Sequence, residues 1–348
     1  MQKFNKKRIL IAPLDWGLGH TTRCISIIRH LLDNECSVIV ACNNAQKSIL
    51  TNEFPGIKFL PLEGYNIRYS EAQWLLPFKL MAQFPKIAIA IAKEHYWLQK
   101  TIEKHQIDVV ISDNRYGLCS TKVPSIFITH QLTIKAPFAW LEYLLQRINY
   151  SYINKFTECW VPDYAGEKNI AGLLSHPRQM PKVSVQYIGP LARFKKSIEP
   201  KPTYYSYCII LSGPEPQRTV LENIILGQLA IITQDCLLVR GKPNAAPIGI
   251  NLPNVVVHNH LHGQELQEAI EASEYIIARS GYTSVMELLA LQKKMILIPT
   301  PGQTEQEYLS HQLMSQHWAY CARQKGFDLR KAMAAARMFE YKLPNKEA

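Results

Sequence analysis

No stretch of this chain reaches the ~18 uninterrupted apolar residues that a bilayer span needs. No two of its cysteines stand as C-x-x-C, and its lysines and arginines form no dense stripe. The first absence argues against a membrane-spanning helix. The second argues against a zinc ribbon or a thioredoxin-type redox centre. The third, with no RNP-type aromatic pattern, leaves nucleic acid without a footprint. Residues 1–8 pass straight into the strand-like Ile9–Ala12, a pattern unlike a secretory leader, so the expected compartment is the cytoplasm.

What is present is an ordinary globular mixture, with 47% apolar and 19% charged residues, 16 glycines and 21 prolines in 348 residues. That is too apolar for intrinsic disorder and, at roughly 150 residues per domain, long enough for two domains. The eight cysteines at 24, 36, 42, 119, 159, 208, 236 and 321 are scattered. Most fall in apolar segments, where a reduced thiol behaves as a small hydrophobe. The net charge of +11 is lopsided: residues 1–200 carry 25 Lys+Arg against 15 Asp+Glu, or +10, and residues 201–348 carry 14 against 13, or +1. A basic half of that size attracts anions, which puts phosphorylated ligands and anionic lipid surfaces ahead as partners and nucleic acid behind.

Short β-branched runs alternate with helical stretches from the start of the chain. Strands are predicted at Arg8–Ala12, Cys36–Ala41, Ile57–Leu60, Asp108–Ser112, Ser125–Thr129, Cys159–Val161 and Val185–Ile188. The rhythm stops at the charged, proline-bearing stretch 193–203 and resumes with Cys208–Leu211, Leu237–Val239, Val255–Val257, Tyr275–Ala278 and Met295–Ile298. Helices are predicted near 218–232, 263–272, 280–291 and 304–317. The expected architecture is α/β: two Rossmann-like, doubly wound parallel-sheet domains facing a cleft. Residues 1–195 form the first, 196–204 the linker and 205–348 the second, whose last helix is drawn packing back on the first domain. Ligands of open parallel sheets bind beyond the carboxyl ends of the strands, so the loops just after each strand are the ones to read.

After the first strand comes Pro13-Leu-Asp-Trp-Gly17-Leu-Gly19-His20-Thr-Thr-Arg23. Gly17 and Gly19 let a ligand approach the backbone, and the helix start offers N–H groups to an anion. Neither a complete G-x-G-x-x-G nor a G-K-[ST] is present. The plainer alternative is a tight strand-to-helix turn. The fourth strand runs into Asp113, a carboxylate that would hold the imidazole of His20 as a general base. The alternatives are that Asp113 caps the next segment or pairs with Arg115. His130, after the next strand, competes for the basic role and ranks below His20.

In the second half Ser212-Gly213 opens a turn suited to a diphosphate, against the reading of a proline-rich turn around Pro214 and Pro216. Arg279-Ser280-Gly281 then opens a helix with Glu287 two turns inside it, where a carboxylate can accept both hydroxyls of a ribose. The following strand leads to Pro299 and a polar loop ending in Gln306-Glu307-Tyr308, whose amide and carboxylate suit sugar hydroxyls.

These residues resemble a GT-B glycosyltransferase, and the second half is similar to the MurG-like branch with a glycosyltransferase family 28 C-terminal domain. The pattern strand, Arg279-Ser280-Gly281, helix, Glu287 carries the resemblance, with the loop from Pro299 to Gln306-Glu307-Tyr308; in the first half it rests on Gly17-Leu18-Gly19-His20. The resemblance implies Glu287 on the nucleotide ribose, Ser280 and Gly281 at the diphosphate, and Gln306 on the donor sugar. Glu307 departs from the family's second glutamine, and the first loop has fewer glycines than the family's.

The expected activity is inverting, metal-independent transfer of a hexose, N-acetylglucosamine or another, from a UDP-sugar to an acceptor hydroxyl, lipid-linked or on an envelope glycan. His20 and Asp113 are the catalytic pair. Ser212, Gly213, Arg279, Ser280, Gly281, Glu287, Gln306 and Glu307 form the donor site, and Gly17 and Gly19 the acceptor site. No cofactor beyond the UDP-sugar substrate and no metal is expected, since a likely donor loop carries no D-x-D. A sugar-nucleotide epimerase or hydrolase of the same fold, or a non-catalytic sugar-nucleotide or membrane-surface binder, is the alternative. The apolar segment 74–92, with Lys79 and Lys86, is either a peripheral contact with the inner face of the plasma membrane or a helix packed on the first sheet.

Overall fold

The computed structural model describes residues 4–65, 76–136, 138–197, 199 and 202–344, with residues 76–84 described as helical backbone. The chain divides into two compact units, Met1–Arg193 and Phe194–Ala348. The stretch expected to link them begins on the second unit: the backbone N–H and Oγ of Ser197 both donate to Glu271, at 2.8 Å.

The first unit holds β1 (Arg8–Pro13), β2 (Ser37–Cys42), β3 (Lys58–Pro61), β4 (Val109–Asp113), β5 (Ser125–Ile128), β6 (Glu158–Val161) and β7 (Ser184–Tyr187). They form one seven-stranded sheet in the order β3-β2-β1-β4-β5-β6-β7, with parallel pairing throughout. The central strands are buried along nearly their whole length, which is why they read as continuous apolar runs. Helices α1 (Leu18–Asp33), α2 (Asn44–Glu53), α3 (Leu76–His105) and α4 (Ala139–Ile153) connect them. On α3 the inward positions Glu94, Leu98, Thr101 and Ile102 recur at helical spacing, and Leu98 and Ile102 pack on Leu10, Ile39 and Val110 of the sheet.

The second unit repeats the scheme with β8 (Tyr205–Ile210), β9 (Cys236–Val239), β10 (Val255–His258), β11 (Ser273–Ala278), β12 (Lys294–Leu297) and β13 (Ala319–Cys321). Their order is β10-β9-β8-β11-β12-β13, again with parallel pairing. Helices α5 (Gln217–Leu226), α6 (Gly263–Glu271), α7 (Tyr282–Ala290), α8 (Thr304–Ser315) and α9 (Leu329–Met338) cover it. The single helix expected over 218–232 stops at Leu226, and a separate 3-10 turn follows at Leu229–Ile231. Helix α9 buries Leu329, Ala332, Met333 and Ala336 in the core of its own unit with Tyr207, Ile277 and Ile296.

Both sheets change winding direction once, between β1 and β4 and between β8 and β11. At such a switch point neighbouring strands send their connections to opposite faces and leave a crevice at their carboxyl ends. The register places Pro13 beside Asp113 in the first sheet and Ile210 beside Ala278 in the second. The two pairs of loops singled out in the sequence therefore leave adjacent strands. Among the described residues no helix is long and apolar enough to cross a membrane. Of the apolar segment 74–92, positions 74 and 75 lie outside the described residues. From Pro85 onward α3 leaves Lys86, Ile89, Ala92, Lys93 and Tyr96 exposed.

Candidate active site

Gly17 adopts φ +78°, a conformation that favours glycine, and its N–H closes a turn on the Asp15 carbonyl at 3.0 Å. The turn launches α1, so Gly19 and His20 lie in its first helical turn. Gln46, buried at the start of α2, braces this loop: its amide donates to the carbonyl of Leu14 and to Thr21 Oγ1, each at 3.0 Å.

His20 Nδ1 stands 3.0 Å from Asp113 Oδ2, so the pair expected from the sequence is brought together. Arg23, which the sequence reading gave no role, and His130, its lower-ranked base, complete the cluster. Arg23, one turn beyond His20 on the same helix face, sends Nε to Asp113 Oδ2 at 2.9 Å and Nη2 to Asp113 Oδ1. Its other terminal nitrogen, Nη1, lies 3.2 Å from His130 Nδ1. Asp113 is fully buried and His20 keeps 14% of its side-chain surface exposed, so the imidazole is the one member of the pair that a ligand can reach. Burial alone would push the Asp113 carboxyl up, but Arg23 and His20 outweigh it and hold its pKa at about 2. Burial, followed by the charge of Arg23, pushes His20 below its ordinary value against the opposing pull of Asp113.

Arg115, the alternative partner for Asp113, is committed elsewhere. Its Nε donates to Glu94 Oε1 at 2.8 Å and its Nη1 to the Pro13 carbonyl at 3.3 Å. His130, the competing base, is buried beside Arg23.

In the second unit several donor-loop residues lace loops together. Arg279 is buried and gives its terminal nitrogens to backbone carbonyls: Nη1 to Ile298 and Pro299, both at 3.2 Å, and Nη2 to Gln217 at 2.8 Å. Burial pushes its pKa down to about 10. Ser280 Oγ donates to the Gln306 carbonyl at 2.9 Å. The Gln306 side chain accepts from Thr300 N at 2.9 Å and donates to Gln303. The loops after β8, β11 and β12 are thereby tied together.

Ser212 and Gly213 follow β8, with Gly213 at φ +103° and exposed. At the start of α5 the Glu215 carboxylate accepts from Thr219 N at 3.1 Å and from Arg218 Nε at 2.7 Å, so one amide there is already taken. Gly281 precedes the first turn of α7, Glu287 is buried on that helix, and exposed Glu307 accepts from Gly302 N at 3.0 Å. Among the described residues no group of three or more His, Cys, Asp or Glu is arranged to hold a metal ion.

Residues 218–344 match the family model described as glycosyltransferase family 28 C-terminal domain. An N-acetylglucosamine transferase from Clostridium botulinum (strain Alaska E43 / Type E3), which uses UDP-N-acetylglucosamine and an undecaprenol-linked acceptor by its name, is 32% identical over 95 residues. That alignment spans 26% of this chain and 26% of that protein, so the chain covers about a quarter of the relative's length. An uncharacterized glycosyltransferase from Methanosarcina acetivorans is 22% identical over 323 residues, 86% of this chain and 81% of its own. Among solved structures, the glycotransferase of kitacinnamycin superposes with a TM-score of 0.68 at 14% identity, covering 97% of this chain and 91% of that one. Residues 218–344 are thus similar to a glycosyltransferase family 28 C-terminal domain, and the two parallel-sheet units share the GT-B fold of the solved glycosyltransferases.

Proposed function

We propose that this chain is an inverting, metal-independent glycosyltransferase that moves a hexose, N-acetylglucosamine or a close relative, from a UDP-sugar to an acceptor hydroxyl. The observation that carries the reading is the His20–Asp113 pair at a switch point, on a chain whose second unit matches the family 28 donor domain. In the reaction His20 Nε2 takes the proton of the acceptor hydroxyl as its oxygen attacks the anomeric carbon. The bond from that carbon to the UDP oxygen breaks on the opposite face, and UDP leaves with the bonding electron pair. Asp113, ionised and buried, stabilises the imidazolium formed in that step. Glu287 is assigned to the ribose, Ser212, Gly213 and the start of α7 to the diphosphate, and the 302–307 loop to the sugar.

A lipid-linked acceptor is the favoured class, with the chain peripheral on an anionic membrane. Supporting it, the first unit leaves Tyr96, Phe138, Trp140, Tyr143 and Leu144 exposed, in a half of the chain that carries +10.

The test is a melting-temperature screen against UDP, GDP, TDP and CMP, followed by UDP-sugar turnover with and without EDTA. A ligand that binds only the native state raises the melting temperature by mass action. The expected result is a shift selective for UDP, abolished in Glu287→Ala, and EDTA-resistant turnover that requires an acceptor. No shift with any nucleotide would sink the donor site, and EDTA-sensitive turnover would sink metal independence.

A further inference from the structure

The neighbours of His20 Nδ1 make incompatible demands on it. Asp113 Oδ2 lies 3.0 Å away and Arg23 Nη2 lies 2.9 Å away. An ionised carboxylate only accepts hydrogen bonds and a guanidinium only donates them. To bond Asp113 the nitrogen must carry a hydrogen, and to bond Arg23 it must lack one. A neutral imidazole has a single N–H, so the ring has two neutral forms. With the hydrogen on Nδ1, directed at Asp113, Nε2 holds a lone pair and can take a proton. With Nδ1 accepting from Arg23, the hydrogen sits on Nε2, which can then only donate.

The geometry favours the second form at rest. Arg23 reaches both Asp113 oxygens with Nε and Nη2, the paired arrangement that makes guanidinium–carboxylate contacts strong and specific. Cys24 Sγ also points at Asp113 Oδ2, at 3.7 Å. The carboxylate is thus well supplied with donors before the imidazole is counted.

We infer that Arg23 is a positioning residue that sets the tautomer of His20, holding the resting ring with its hydrogen on Nε2. An acceptor hydroxyl that donates into Nε2 favours the opposite tautomer, with Nδ1–H on Asp113. The hydrogen exchanges through solvent, and the ring gains no net proton until the hydroxyl gives up its own. Rather than Asp113 alone, the balance between Arg23 and Asp113 then decides when His20 is a base. The inference rests on reading His20 as the proton acceptor, but the tautomer itself can be observed without turnover.

The charged and titratable groups facing the ring are Arg23 and Cys24 from α1, Asp113 from β4 and His130 after β5. With Arg23 removed, Asp113 has the imidazole as its remaining cationic partner, and the protonated ring becomes favoured.

The measurement is long-range proton–nitrogen NMR on the full chain labelled in histidine, with the His20 signals identified by their loss in His20→Gln. At neutral pH the wild type is expected to carry its hydrogen on Nε2. In Arg23→Met the hydrogen moves to Nδ1 or the ring is doubly protonated. Its titration midpoint, and the acid limb of kcat/KM, then rise by about one pH unit or more, ~10-fold in proton affinity. A wild-type ring with its hydrogen on Nδ1 overturns the inference, as does a titration that Arg23→Met leaves in place. If Arg23→Met does not fold, the wild-type spectrum alone decides between the tautomers. An Nε2–H spectrum in a protein without transferase activity would retire the proposed function and leave this role of Arg23 standing.

Discussion

At the level of single residues, the first unit concentrates its chemistry in a cluster where each charge is answered at close range. Removing a partner therefore has two separable effects. His20→Gln takes away the proton acceptor and leaves the Arg23–Asp113 pair intact, so it is expected to lower kcat by ~10²–10⁴-fold with folding and UDP affinity preserved. Asp113→Asn keeps the shape but leaves the Arg23 guanidinium buried without its counter-charge, a loss of about 3–5 kcal/mol of stability in addition to the rate effect. Steady-state kinetics with urea unfolding on both variants checks this; equal destabilisation would mean that His20 is as structural as Asp113. Histidine and aspartate were legible from their loop positions after β1 and β4. Arg23 was not given a role, although its spacing of three from His20 on α1 was in view, because sequence spacing marks a shared helix face without saying that the face turns inward.

At the level of elements, the lacing of the second unit's loops explains why its most recognisable motif is not simply a row of ligand contacts. Arg279 ties the carbonyls of Gln217, Ile298 and Pro299, which belong to two different connections, to its own loop after β11. Arg279→Met is expected to raise KM for the UDP-sugar by ~10-fold or more, because loops released from the guanidinium must be ordered again on donor binding. Its kcat with a saturating donor should change less, and initial-rate kinetics separates the two parameters. A drop confined to kcat would put the guanidinium in contact with the reacting groups instead. Most strands were readable because strands buried on both faces appear as unbroken apolar runs. β13 was missed because it has only three residues, Ala319–Cys321, too short for a periodicity. The carbonyl contacts of Arg279 were not legible, because nothing in the sequence shows which carbonyls of two neighbouring loops meet its guanidinium.

For the molecule as a whole, the charge asymmetry and the exposed aromatics of the first unit bear on where it works. Phe138 and Trp140 stack at 6.3 Å, and Arg147 lies over the Tyr143 ring at 5.7 Å, a mix of aromatic and cationic groups suited to a headgroup boundary. Flotation with anionic vesicles is expected at low salt, weakening as ionic strength shortens the screening length. Neutral vesicles should capture much less, and a Trp140→Ala, Tyr143→Ala variant should lose most of the binding. Failure to float with either vesicle would leave these side chains without a membrane role. Two domains could be anticipated from length and from the break in rhythm near residue 200.

All eight cysteines are free, and Cys24, Cys36, Cys42, Cys159, Cys208 and Cys236 are buried. Burial pushes the Cys159 and Cys236 thiols up to about 12, far from the thiolate form that reacts. Each unit thus carries its own silent reporters, Cys24, Cys36, Cys42 and Cys159 in one and Cys208 and Cys236 in the other. A brief pulse of an alkylating reagent, read by peptide mass, marks a unit only at the moment it opens. The order in which the two halves come apart under heat or denaturant is therefore already written into the native thiols, without any engineered probe.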